Sequence, residues 1–457
     1  MPWNLARVWM LHRRAGFGAN WQQLQRDVND GPGQSIARLL ASDSGQQSAN
    51  EFEATSQLLL KKAIQSGQVS RLSAWWIWRM YLGPNAFIER CTLMWHNHFA
   101  TSNRTIQNLS RMYRQNQIFR QHGTGKFDVL LEKAIKDPAM LVWLNANDNQ
   151  PGHPNENLGR ELLELFSLGV GNYTEQDVKE AARALAGWTA NMRPQSLSDP
   201  FSDSYEDKLI IRSSWKDHFD KTILGKTGIW DGDDLLKIVL EHPATAKRLA
   251  WRICDDLCGE NVVSNEASME LAAGLRDNGL DLRWAFETVL SSELFYSQTN
   301  LKSQIAAPET FVLGCLNALN TAKCPASTLA LSGVLTSLGR SLFEPPNVGG
   351  WEGGRMWLNA RTLVARSNFV NAVVHNGLNR KALPPDFNEI VESFEEKTDL
   401  QSIVTQLSEL LLGLDRNAEN DHALIVATTR EVAKQPDDRR WAFASHLLLN
   451  SGSAQLC

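Results

Sequence analysis

Apolar residues recur at spacings of three and four through most of this 457-residue chain. That spacing places them on one face of a helix. It predicts helices over 24–40, 50–65, 70–82, 86–99 and 126–144, and again over 155–168 and 174–188. Thr174 with Asp177 three positions on is a capping-box start for the last of these. Between Asn191 and Gly232 the texture turns polar. Two β-prone runs, KLIIRSS and HFDKTILG, predict a short hairpin excursion near 200–226. Helical spacing then resumes over 233–241, 245–257, 281–294, 311–319, 329–338 and 358–376, interrupted by FEPPNVGGWEGG, a loop dense in Gly and Pro. Beyond Lys381 an acidic, PPDF-containing stretch precedes helices over 400–414 and 422–449. The predicted fold is all-α, a multi-helix globular body with a β-hairpin excursion. Residues 1–380 form one helical domain, and 381–457 form a C-terminal helical subdomain packed on it.

Composition narrows the function classes. The chain is 43% hydrophobic and 21% charged, ample for a large core and unlike a disordered chain. Lys plus Arg is 46 against 51 for Asp plus Glu, a net charge of −5. With no basic stripe, nucleic acid is not an expected partner. No run reaches the length of a membrane span. The N-terminus, MPWNLARVWMLHRRAGFG, lacks the apolar core of a signal peptide, which makes cytoplasmic the default localisation. Of the six cysteines, Cys254 and Cys258 share a helical face, but a disulfide across one turn is strained. The expectation is buried thiols.

Four polar clusters stand out. In WHNHF, His96 and His98 are two apart; on a helix they diverge, whereas on an unwound segment they point the same way. A helix ending near Trp95 would let both imidazoles act as metal ligands or one act as a base; the plainer alternative is a helix terminus with favourable cations. In HPNENLGRELLELF, Asn157, Arg160, Glu161 and Glu164 fall on one half of a helix and the leucines on the other. This is either a surface stripe of ion pairs or a half-buried acidic site in which Glu161 and Glu164 work as acid and base. In DHFDK, His218 and Asp220 would share a strand face, as ligands or as turn residues. In PPNVGGWEGGRMWLN, four glycines permit close backbone approach, Trp351 offers stacking, and Arg355 offers an anion contact. No strand precedes this loop and no GK[ST] follows, so it is not a nucleotide fingerprint. Its alternative is a structural loop wedging a tryptophan into the core. The sixteen tryptophans are core material for the most part; some in a cleft would suit sugar stacking.

The block PNENLGRELLELFSLGVGNYTEQDVKEAARALAGWT resembles the bacterial domain-of-unknown-function family 1800. So do RRAGFG, LMWHNHFATSN, KDPAMLVWLN, DHFDKTILG, HPATAKRLAWRI and PPNVGGWEGGRMWLNARTLVAR. The resemblance covers roughly residues 5–375. It implies no established activity. It implies relatives that look exported and are encoded beside a sulfatase-like family, a candidate partner protein, and its signature blocks contain the polar clusters.

The functional expectation is a hydrolase or group-transfer enzyme acting on a polar, saccharide-like substrate. Glu161, Glu164 and His98 are the catalytic candidates. Arg160, Asn157, Trp351 and Arg355 are the substrate-binding candidates. His96, His98, His218 and Asp220 would hold a divalent metal such as zinc, iron or manganese, activating a water. The rival expectation is a non-enzymatic helical scaffold assisting surface assembly or polysaccharide export, with the same residues as a buried ion-pair network.

Overall fold

A computed structural model describes residues 3–41, 46–191, 207–259, 262–323, 325–376 and 384–457. Helices dominate, and the described β structure is two antiparallel two-stranded hairpins. The all-α expectation with a short β excursion therefore holds. Among the described residues no helix is long and apolar enough to cross a membrane.

Several elements differ from their sequence pattern for local reasons. The single helix expected over 126–144 is two, Phe127–Ile135 and Pro138–Trp143, because Pro138 cannot continue a helix but suits the first position of a new one. The helix begun at Asn157 widens into a π-helical turn over Leu162–Ser167, where the Ser167 hydroxyl donates to the Leu162 carbonyl. The capping box of Thr174 and Asp177 forms as expected. The two β-prone runs do not pair with each other. Strand β1 (Trp188–Ala190) pairs with β2 (Leu209–Ile211), and β3 (Lys221–Ile223) with β4 (Lys226–Gly228). Leu224 and Gly225 both have positive φ. They form the two-residue turn that matches strand twist and closes β3 on its nearest neighbour. The part of the expected hairpin over 200–206, Cys324 and the boundary placed near 380 lie outside the described residues. Cys91, Cys254, Cys258, Cys315 and Cys457 are buried and unbridged.

The Ala86–His98 helix runs through the core and is buried on nearly every side. Its polar residues are therefore held by named partners. Glu89 accepts from Trp76 Nε1 at 2.9 Å, Arg79 Nε at 2.9 Å, and Arg120 Nε and a terminal nitrogen at 2.8 Å each. The RRAGFG segment ties distant parts together. Arg14 donates to the Leu257, Asn300 and Cys457 carbonyls and to Ser303, fixing the loop that follows Asn300. The chain end joins the same body: Gln304 and Cys457 exchange backbone hydrogen bonds, and Ala306 N–H donates to Gln455. Trp9 Nε1 donates to the Leu410 carbonyl, so helix Leu400–Leu412 packs against Leu5–Arg14.

Candidate functional site

WHNH is four consecutive side chains with four separate anchors. Trp95 Nε1 donates to the Gly123 carbonyl at 2.7 Å. His96 Nε2 accepts the Phe343 N–H at 3.2 Å. Asn97 holds both backbone groups of Trp351, accepting its N–H at 2.8 Å and donating to its carbonyl at 3.3 Å. His98 Nε2 lies 3.3 Å from the Phe166 carbonyl, to which it donates. The helix does not unwind at Trp95 but continues to His98, so the two imidazoles diverge as helical geometry requires. Both Nε2 atoms are committed to the backbone. His218 and Asp220 lie exposed in the coil before β3, not on a strand face. Among the described residues, no group of three or more His, Cys, Asp or Glu side chains is arranged to hold a metal ion. The set His96, His98, His218 and Asp220 is thus not brought together.

Burial drives His96 from the usual imidazole value of 6.5 down to about 3, and Arg340 adds to the effect. Burial likewise lowers His98, reinforced by Arg252 and Arg248. Both rings are neutral at physiological pH. For His96 the folded state resists protonation while the unfolded imidazole accepts it near 6.5. Its contribution to stability is therefore full above that value and is lost as pH falls towards 3. The His96→Gln variant keeps an acceptor for Phe343 but has no titration. Between pH 7 and pH 5 it is expected to lose about 2 kcal/mol less stability than the wild type. Urea unfolding at the two pH values checks this; equal losses would contradict it.

What WHNH organises is a loop. His96 pins its start at Phe343, and Asn97 pins its middle at Trp351. Gly350 between them has φ +80°, and a Cβ there would sit 2.3 Å from Asn97 Oδ1 and 2.5 Å from the Asn97 carbonyl oxygen. Only glycine allows this approach. Gly350→Ala is expected to cost about 1–3 kcal/mol and to displace Trp351, measured as a lower denaturation midpoint with altered tryptophan fluorescence.

The loop forms one wall of a polar pocket of about 310 Å³. Helix 86–98 supplies Arg90, Met94 and Asn97. Helix Pro243–Cys258 supplies Arg252, Asp255 and Asp256. The 303–307 segment and the first turn of helix Pro308–Ala318 form the floor, and Arg340, Trp351, Arg355 and Trp357 complete the wall. Arg340 lies 4.2 Å from the Trp351 ring and 5.5 Å from Trp357, which fixes its guanidinium plane. Four arginines (Arg90, Arg252, Arg340, Arg355) face four acids (Asp255, Asp256, Glu309, Glu352). Arg90 pairs with Asp256 at 3.2 Å.

Glu309 is the exceptional group. It is 0% exposed, and neither carboxylate oxygen has a hydrogen-bond partner among the described residues. It forms an ion pair with Arg340 at 3.3 Å and also acts electrostatically on Arg90 and Arg366. Arg340 Nε and Arg252 Nε are likewise buried without hydrogen bonds among the described residues. The contrast with Glu89, closed by four donors, is decisive. A carboxylate closed by donors stabilises packing, whereas a buried one without hydrogen bonds costs about 1–3 kcal/mol.

Trp351 and Arg355 thus line the pocket. Glu161, Glu164, Arg160, Asn157 and His98 do not. Arg160 is engaged by Glu156 at 2.9 Å and Glu175 at 2.8 Å. Glu164 accepts from the Tyr173 hydroxyl. Burial raises the Glu161 carboxyl, and Glu164 raises it further. A second, more open cleft of about 450 Å³ is lined by Arg111, Lys133, Lys136 and Asp137 among others; Asp137 is pushed up to about 7 by burial. Sequence reasoning missed Glu309. Its one signal is a charge at the start of Pro308–Ala318, a helix otherwise apolar nearly all round, and such helices are buried.

Fold and pocket together define a mainly helical protein built around a charge-balanced, tryptophan-walled cavity. The family model described as "Protein of unknown function (DUF1800)" matches residues 10–456, so the chain belongs to that family, and the match runs through the C-terminal tail. Comparison with curated proteins and with solved structures gave no match.

Proposed function

We propose that the protein is a hydrolase or group-transfer enzyme that takes a neutral, polyhydroxylated, saccharide-like ligand into this pocket and uses Glu309 for proton transfer. The observation that carries the reading is the buried Glu309 carboxylate, ion-paired to Arg340 but with neither oxygen hydrogen-bonded among the described residues. A hydroxyl group both donates and accepts. The pocket offers it unsatisfied acceptors at Glu309 and unsatisfied donors at Arg340 Nε and Arg252 Nε. Equal numbers of arginines and acids give no net preference for an anion. In the proposed reaction a water or acceptor hydroxyl gives its proton to Glu309 as its oxygen bonds to the reacting centre. The proton passes to the leaving oxygen as the old bond breaks. Asp256, held by Arg90, and the Trp351–Arg340 stack would orient the ligand.

The scaffold alternative accounts for Glu89, whose partners fix helix packing, but not for Glu309. Incubating the purified chain with a panel of neutral oligosaccharides, with assays for binding and for new reducing ends, separates the two. Turnover supports the enzyme. Binding without turnover removes the enzymatic part, and neither binding nor turnover contradicts the saccharide reading.

A further inference from the structure

The charged face of the 243–258 helix does not stop at the pocket. Arg252, Asp255 and Asp256 line the cavity. At about 100° per residue, Arg248 falls between Asp255 and Arg252 on the helix surface, about 6 Å nearer the N-terminus than Arg252, and Trp251 lies beside Asp255. Arg248 is coupled electrostatically to Arg252 and Asp255, both of which line the pocket. Its guanidinium sits 4.4 Å from the Trp251 ring, and its Nε is buried without a hydrogen-bond partner among the described residues. Trp251 itself is 44% exposed, unusual for so large an apolar side chain.

We propose that Trp251 and Arg248 form a second subsite continuous with the pocket, and that the ligand is consequently a chain of sugar units rather than a single one. The inference rests on the saccharide reading of the pocket and adds the length of the ligand to it. A cavity of about 310 Å³ is at the small end of ligand sites, so a longer chain must leave it. The Arg248 stripe carries both hydrogen-bonding groups and an apolar ring for the units outside. The Arg248 guanidinium supplies the donors and the Trp251 ring the apolar face.

The test is the affinity of wild type and Trp251→Ala for neutral gluco-, manno-, galacto- and chito-oligosaccharides from monosaccharides to hexasaccharides, measured by calorimetry. For the series that binds, Trp251→Ala is expected to weaken the tetra- to hexasaccharides by about tenfold or more while leaving mono- and disaccharides unchanged. Trp251→Phe should restore much of the loss. A uniform loss at every length, or none at any length, overturns the second subsite while leaving the pocket reading intact. A wild-type protein that binds no member of any series overturns the saccharide reading itself, and the subsite with it. Trp251 is exposed enough for the variant to fold, and its unfolding midpoint checks this.

Discussion

Glu309→Gln is expected to lower turnover by about 10²–10⁴-fold, the usual contribution of a positioned proton carrier. Glutamine keeps the size and planarity of the side chain, so the cavity keeps its shape, but Arg340 loses its counter-charge and some stability falls with it. What it removes is the ability to take up and return a proton. The effect should therefore fall mainly on kcat, with KM changed little, because loss of an interaction made only in the transition state lowers kcat and kcat/KM together. A variant that turns over at wild-type rates would remove Glu309 from the reaction. A variant that no longer unfolds cooperatively would show that Glu309 serves the fold instead.

The opposite behaviour is expected of Glu89, the other fully enclosed carboxylate of this region. Glu89→Gln should cost about 3–5 kcal/mol of stability, because it leaves Arg79 and Arg120 buried without their counter-charge. The same network sets a pH dependence. Burial alone would raise the Glu89 carboxyl, but Arg120 and then Arg79 overcome it and hold the group below its ordinary value of 4.5. A depressed folded value means the stabilisation is complete above the ordinary value and is lost as pH falls through the lower, folded one. Denaturant unfolding of wild type and variant from neutral to acid pH should therefore show two curves that converge at low pH. A constant gap, or a difference below about 1 kcal/mol at neutral pH, would contradict the account.

These two glutamates also show how far the sequence could be read. Helical spacing fixes which residues face the core, so the all-α body was legible, as was the capping box at Thr174. Pairing partners of short strands were not. KLIIRSS and HFDKTILG each satisfy strand chemistry, and only the Leu224–Gly225 turn decides that HFDKTILG closes on its own neighbour. The polar clusters were legible as unusual but not in their roles. HxH reads identically whether its nitrogens meet a metal or a backbone, and the difference is made by Phe343 and Phe166, more than sixty residues away in sequence. Trp351 and Arg355, which line the pocket, stand out in the sequence because the loop's glycines and aromatics are locally conspicuous. Glu309 was not, because nothing near AAPETF distinguishes an ordinary first-turn acid from one sealed beside Arg340. That distinction exists only once four distant segments meet.

The most direct test of the central claim is a crystal structure of the protein with the tightest-binding oligosaccharide of the panel. The account predicts a sugar unit in the cavity, with one hydroxyl donating to the Glu309 carboxylate and an oxygen accepting from Arg340 Nε, against the Trp351 wall. A ligand seated instead in the cleft lined by Arg111, Lys133 and Lys136, with Glu309 still unbonded, would contradict it.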